Sequence, residues 1–222
     1  MTLSWATHRG LARRDFIAAT FIGAVAGLSL PAALAAPAPT VLVVGDSLSA
    51  EYGLKRGTGW VALLQKQLAT EKINATVVNA SISGDTTSGG RARLAALLRH
   101  NKPTHVVIEL GGNDALRGLP LPMTEDNLHQ MVKAAKDQGA KVLLLGMQVP
   151  PNYGSDYTQR FAKLYTSVAK AHQVPLVPFF LKGVADAPNA LSLFQADRIH
   201  PREEAQPALL ANVWPELKKL LK

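Results

Sequence analysis

Apolar runs and polar breaks alternate along this chain with a steady rhythm. Val41-Leu42-Val43-Val44 is an unbroken apolar run, rich in valine, and reads as a strand buried on both faces. It stops at Gly45-Asp46-Ser47, residues that favour a tight turn. Trp60, Leu63, Leu64 and Leu68 then recur at helical spacing and predict a helix over 58–71. Ala75–Asn79 predicts a second strand, followed by a polar loop that ends in a helix-capping threonine. Leu94, Leu97 and Leu98 mark the next helix, which Pro103 ends. Thr104–Leu110 predicts a third strand running into Gly111-Gly112-Asn113-Asp114. Thr124 and Asn127 open a further helix that stops at Gly139. Lys141–Met147 predicts a fourth strand, and Phe161, Leu164, Tyr165 and Val168 stripe the helix after it. Val174–Phe180 is a proline-interrupted fifth strand, which places it at a sheet edge. Residues 181–200 read as irregular. A last helix over 202–221 carries Pro207, tolerable in a first turn, and Pro215, expected to kink an interior.

Strands and helices alternate five times, which predicts an α/β fold: a five-stranded parallel sheet covered on both faces, a three-layer α/β/α architecture. There is no internal repeat and no second core. Residues 36–222 therefore read as one domain, preceded by a segment of a different kind. Arg9, Arg13 and Arg14 lead into the nearly uncharged apolar stretch Phe16–Leu30; Pro31 breaks it, and Ala33-Leu34-Ala35 has the small-x-small pattern of a cleavage site. Residues 1–35 are thus expected to be a signal peptide, with the mature chain starting at Ala36 and working in the periplasm or outside the cell. Arg13-Arg14 before Asp15-Phe16-Ile17 resembles a twin-arginine signal and also fits an ordinary secretory leader, so both export routes stay open. The apolar stretch is short for a membrane span and holds glycines, so cleavage is expected over a retained anchor.

Composition changes this picture little. The chain has 222 residues, 47% apolar and 18% charged, enough for a packed core. Its formal charge is +8; removing the three arginines and one aspartate of residues 1–35 from 24 basic and 16 acidic residues leaves 21 and 15, a net +6. The cations are scattered, without a dense basic run among aromatics, so no nucleic-acid partner is expected. Cysteine is absent, which excludes disulfides, a cysteine nucleophile and thiolate metal sites. No His-Glu-x-x-His or similar spacing occurs, nor a P-loop or Gly-x-Gly-x-x-Gly, so neither metal nor cofactor is expected.

Chemistry is legible where strands end, because ligands of open α/β sheets bind beyond their carboxyl ends. Ser47 is the first hydroxyl after the first strand. Gly84, in the loop after the second, can bring a backbone N–H close to a ligand because no side chain blocks it. Asn113, after the third, offers an amide. Near the C-terminus Asp197-Arg198-Ile199-His200-Pro201 sets a carboxylate three residues before an imidazole, close enough on a turn for Asp197 to hold one ring nitrogen and leave the other for a hydroxyl. Singly, each piece also has a plain role as a turn, cap or surface residue. Together they have the parts an acyl-transfer site requires: nucleophile, proton relay and oxyanion donors.

These stretches resemble the four sequence blocks of the SGNH (GDSL) hydrolases, in the same order: Gly45-Asp46-Ser47-Leu48-Ser49, Gly84 in Ser-Ile-Ser-Gly-Asp-Thr, Gly111-Gly112-Asn113-Asp114, and Asp197–Pro201. The likeness runs over nearly all of 40–210. Val78–Thr86, Glu109–Asp114 and Pro175–Phe180 bring it nearest to the bacterial periplasmic thioesterase I/lysophospholipase/arylesterase group. The resemblance implies the flavodoxin-like SGNH fold. It implies Ser47 as nucleophile, His200 as general base and acid, and Asp197 as the residue that orients His200. It implies an oxyanion hole of the Ser47 and Gly84 N–H groups and the Asn113 amide, with Asp46 tying the turn to nearby N–H groups. Two departures stand out: Glu51, where the group has a small residue and where a side chain would affect substrate approach, and Pro215 in the last helix.

The expected substrates are acyl esters or thioesters, including lysophospholipids, hydrolysed by a monomer with no stable membrane insertion. The apolar loop 115–122, through Leu116, Leu119 and Leu121, is expected to wall an acyl groove. Two rivals are a carbohydrate deacetylase on the same fold and a non-catalytic flavodoxin-like module that holds an anion or nucleotide. The second gives no reason for Asp197 and His200. The absent Gly-x-Ser-x-Gly elbow excludes an α/β-hydrolase.

Overall fold

The computed structural model of the protein describes residues 38–222. The expected leader, residues 1–35, lies outside the described residues. Five strands form the sheet: β1 (Thr40–Gly45), β2 (Thr76–Asn79), β3 (His105–Glu109), β4 (Lys141–Leu145) and β5 (Leu176–Val177). The order across it is β2-β1-β3-β4-β5, with every pairing parallel. Val41–Val44 of β1 and all of β3 are buried, as central strands with both faces covered should be.

The helices are α1 (Trp60–Thr70), α2 (Thr87–Asn101), the short α3 (Gly112–Leu116), α4 (Leu121–Asp137), α5 (Ser155–His172), α6 (Ala190–Leu193) and α7 (Gln206–Leu221). α1 packs with α7, while α2, α4 and α5 pack together, giving the expected three layers. Trp60, Leu64 and Leu68 bury one face of α1, and Leu209, Val213 and Leu217 bury the facing stripe of α7.

Strand order positions the site. From β1 the chain moves one way across the sheet to β2, then returns past β1 to lay down β3, β4 and β5. The turns after β1 and β3 therefore flank a topological switch point, where a crevice opens beyond the strand ends.

Short helices form where loops were expected, α3 after β3 and α6 within 181–200, and three further differences have a physical reason. β5 has two residues rather than seven: Pro175 faces β4, where its carbonyl accepts from the Leu144 N–H at 3.1 Å, but it has no N–H to give back; Gly146 still donates to the Val177 carbonyl at 2.8 Å, and beyond it the Phe180 N–H donates to the Gly146 carbonyl at 2.8 Å. Helix α4 starts at Leu121, three residues before Thr124, with Pro122 in its first turn where a missing N–H costs nothing. Pro215 does not end α7, which runs on to Leu221. Pro215 and Ala211, the residue four before it, are both exposed, so the carbonyl deprived of its N–H partner is open to water. Anchoring on both sides of Pro215 holds the helix: Trp214 Nε1 donates to Glu71 Oε1 at 3.0 Å, and Lys218 pairs with the same carboxylate.

Candidate active site

Beyond Gly45 the chain turns tightly, with the Ser49 and Ala50 N–H groups donating to the Asp46 carbonyl at 3.2 and 2.9 Å. The turn presents Ser47 at the carboxyl end of β1. Ser47 Oγ lies 2.9 Å from His200 Nε2, and His200 Nδ1 lies 2.7 Å from Asp197 Oδ2. A carboxylate only accepts, so Nδ1 carries the proton and Nε2 presents its lone pair to the Ser47 hydroxyl.

The Asp197–His200 turn is built from its own backbone. Arg198 adopts a left-handed φ of 59°, and the Ile199 and His200 N–H groups donate to Asp197 Oδ1 at 2.9 and 3.0 Å. Desolvation works to raise the Asp197 pKa, but the bonds from the His200 ring and these two N–H groups outweigh it and hold the carboxyl at about 2. Gln195 ties this turn to the opposite loop. Its side-chain amide donates to the Tyr52 and Pro201 carbonyls at 2.9 and 3.3 Å, and its N–H to the His200 carbonyl at 2.8 Å. The Tyr52 ring packs on the His200 ring, centroids 4.3 Å apart.

The three expected oxyanion donors sit in the segments that follow β1, β2 and β3. Asn113, in the first turn of α3, gives one Nδ2 hydrogen to Asp46 Oδ2 at 3.0 Å and keeps the other. Gly84 has a φ of +78°, a conformation costly for any side-chain-bearing residue, and the Arg117 guanidinium donates to its carbonyl at 2.8 Å. The Ser47 and Gly84 N–H groups take no acceptor among the described residues. Such an arrangement can activate a hydroxyl and stabilise an anion that develops next to it. Asp46 ties down the turn as expected, accepting also from the Leu48 N–H at 3.0 Å. Burial pushes its carboxyl up to about 6, against the pull of Leu48, Asn113 and His200.

A sequence-family model, the GDSL-like lipase/acylhydrolase family, matches residues 43–207. The chain belongs to this family. The acylhydrolase is 57% identical over 186 residues to esterase TesA of Pseudomonas aeruginosa, covering 84% of this chain and 91% of that one. It is 42% identical over 187 residues to thioesterase 1/protease 1/lysophospholipase L1 of Escherichia coli K12, covering 84% and 87%. Among solved structures it is similar to the psychrotrophic esterase EstA from Pseudoalteromonas sp., inhibited by monoethylphosphonate, at 40% identity and a TM-score of 0.77 over 82% of this chain and 98% of that one. The flavodoxin-like SGNH fold and a carboxylic-ester hydrolase follow.

The leucines of the acylhydrolase's 115–122 segment part company. Leu116 is exposed on α3 next to Asn113, and Leu119 is half-buried. Leu121 is buried at the start of α4, where it lines a cleft with Pro122, Glu125, Arg160 and Lys163, none of them a residue of the Ser47 site. Glu51 does not reach toward Ser47 either. Its carboxylate accepts from the Gly57 and Gly59 N–H groups at 3.0 and 2.8 Å and clips the loop before α1. Glu109 passed unnoticed in the sequence, although a lone acid ending the apolar run Val106-Val107-Ile108 is a signal of a buried charge. Tyr52 and Gln195 carried no comparable signal.

Proposed function

We propose that the chain is an exported serine acyl hydrolase of esters and thioesters, lysophospholipids among them, with Ser47 as nucleophile. The observation that carries this reading is the unbroken relay Ser47–His200–Asp197, with hydrogen bonds of 2.9 and 2.7 Å, together with Ser47 and Gly84 N–H groups that take no acceptor among the described residues. The thioester and lysophospholipid substrates are inferred from the likeness to the Escherichia coli thioesterase 1/protease 1/lysophospholipase L1.

Ser47 Oγ attacks the acyl carbon as its proton passes to His200 Nε2. The carbonyl oxygen becomes an oxyanion that accepts from the Ser47 and Gly84 N–H groups and the free Asn113 Nδ2 hydrogen. Asp197 stays ionised and stabilises the imidazolium. Collapse expels the leaving group, which takes the Nε2 proton when it is an alkoxide, while a departing thiolate leaves that proton to be lost from His200 to solvent; either way an acyl-Ser47 ester and a neutral His200 remain. Water then attacks with His200 as base, and the acid departs as Ser47 recovers its proton.

Export follows from the basic, apolar and small-residue parts of residues 1–35. The deciding experiment is labelling of the purified mature chain with an alkylphosphonate, together with graded p-nitrophenyl esters and acyl-CoAs. Covalent mass addition on Ser47, with ester hydrolysis lost in Ser47→Ala, is the expected result. Full ester hydrolysis by a folded Ser47→Ala protein overturns the reading.

A further inference from the structure

Beneath the proposed nucleophile lies a second carboxyl that the reaction scheme does not use. Glu109, the last residue of β3, is 1% exposed. Its Oε2 accepts from the Ser49 hydroxyl at 2.7 Å and from the Asp46 N–H at 3.3 Å. Trp60 Nε1 donates to Ser49 Oγ at 3.1 Å, so the single Ser49 proton is committed to Glu109. Oε1 is buried and has no hydrogen-bond donor. Gly45 makes room for this arrangement: a Cβ there would stand 2.8 Å from both Glu109 Oε2 and Ser49 Oγ.

Because Glu109 Oε2 accepts from the Asp46 N–H, the two buried carboxyls are neighbours. Neither makes an ion pair among the described residues. Two ionised carboxylates on neighbouring groups out of water, with no basic side chain on either, repel each other and lose their hydration. One proton held by the pair removes both costs, because it turns one Glu109 oxygen into a donor with Asp46 as acceptor. The remaining neighbours keep that proton on Glu109. The imidazolium that His200 becomes during the reaction favours a charge on Asp46. The Leu48 N–H and Asn113 Nδ2 also donate to Asp46. Asp85 is spent on Arg93, whose guanidinium also reaches the Gly45 carbonyl. On the far side Tyr165 donates its hydroxyl to the Leu110 carbonyl at 3.0 Å, and Asp114 is bound to Thr87 and Thr124. Burial first and Asp46 second push Glu109 well above the usual carboxylate range.

We propose that Glu109 is a positioning residue for acyl hydrolysis: as a neutral carboxylic acid it donates to Asp46, and so holds that carboxylate against Asn113 and the Ser47 turn. Its influence on the reaction passes through Asp46 to the Asn113 amide and never through substrate. This inference rests on the hydrolase reading above, but the proton on Glu109 can be tested without it.

Glu109→Gln reproduces the neutral acid, with an N–H donor toward Asp46 and an oxygen for Ser49 and the Asp46 N–H. It is expected to keep kcat within about threefold of the parent. Glu109→Leu keeps the bulk and removes both functions. It is expected to lower kcat at least about tenfold with KM little changed, below the roughly 10²–10³-fold cost of deleting an oxyanion donor outright. Infrared spectra at neutral pH should contain a protonated-carboxyl carbonyl band that disappears in Glu109→Gln. That band needs no activity and survives even if Ser47 is not the nucleophile. Wild-type kcat in folded Glu109→Leu overturns the positioning role. A Glu109→Gln protein as impaired as Glu109→Leu, or no band assignable to Glu109, overturns the neutral acid. If Glu109→Leu does not fold, the Gln variant and the band decide.

Discussion

Asp46 and Asn113, 67 residues apart in sequence, meet across the switch point, where Asn113 Nδ2 donates to Asp46 Oδ2 at 3.0 Å. The bond joins the turn that presents Ser47 to the short helix α3 that carries Asn113. One Nδ2 hydrogen is held by Asp46, so the other is aimed by the same contact. Asn113→Ala removes a donor without touching Ser47 or His200, and a fall of roughly 10²–10³ in kcat with little change in KM is expected. Asp46→Ala should lower kcat in the same direction by freeing the amide to rotate. Steady-state kinetics on one p-nitrophenyl ester check both; a KM effect alone would place Asn113 in ground-state binding.

The relay residues should behave as a unit. Ser47→Ala and His200→Ala are each expected to remove nearly all turnover, and the double variant to be no worse than either. Asp197→Asn leaves the turn but favours the wrong histidine tautomer, with an expected loss of up to about 10⁴ in kcat. A double-mutant cycle measured by burst-corrected kinetics settles it: additive losses would mean two independent sites.

Acyl-chain preference separates the leucines. Leu116→Ser should depress kcat/KM for decanoyl esters more than for acetyl esters, since each methylene buried against it is worth up to about 0.8 kcal/mol. Leu121→Ala, at a core position, should lower stability by about 2–5 kcal/mol in urea melts and leave the chain-length profile unchanged. Chain-length kinetics flat in the parent protein would remove the groove altogether.

Stability should titrate with opposite signs at two aspartates. Asp46 is raised from 3.8 to about 6, so the folded state binds its proton more tightly than the unfolded chain. Its contribution is full below the unfolded value and is lost as pH rises through about 6. Asp197, lowered from 3.8 to about 2, contributes above the unfolded value and loses that contribution as pH falls through about 2. Urea midpoints from pH 2 to pH 7 are the test. Asp46→Asn should gain on the parent as pH rises from 4 to 7, and Asp197→Asn should close its deficit as pH falls from 4 to 2. Parallel curves would exclude both shifts.

Export is checked by intact mass. Protein recovered from the periplasm of an expressing bacterium should begin at Ala36, and retention of residues 1–35 there would refute the leader.

Local pattern carried the fold class because strand and helix periodicity are properties of neighbouring residues. Valine-rich runs broken by Gly-Asp-Ser and Gly-Gly-Asn-Asp mark strand ends wherever the strands pack, so β1, β3, β4 and the loops bearing Ser47, Gly84, Asn113 and His200 were legible. The family blocks were legible for the same reason. Tertiary structure alone decided what depends on distant residues meeting. Strand order sets Ser47 and His200, 153 positions apart, within one hydrogen bond. Packing sends Leu121 inward and leaves Leu116 outside, although both belong to one leucine-rich stretch. Pro175 trimmed β5 only because it falls on the side that faces β4, where the ladder needs an N–H. Glu109 looked like an ordinary end to a strand; burial beside Asp46 is what makes its proton matter, and burial is a property of the whole fold rather than of the residues on either side.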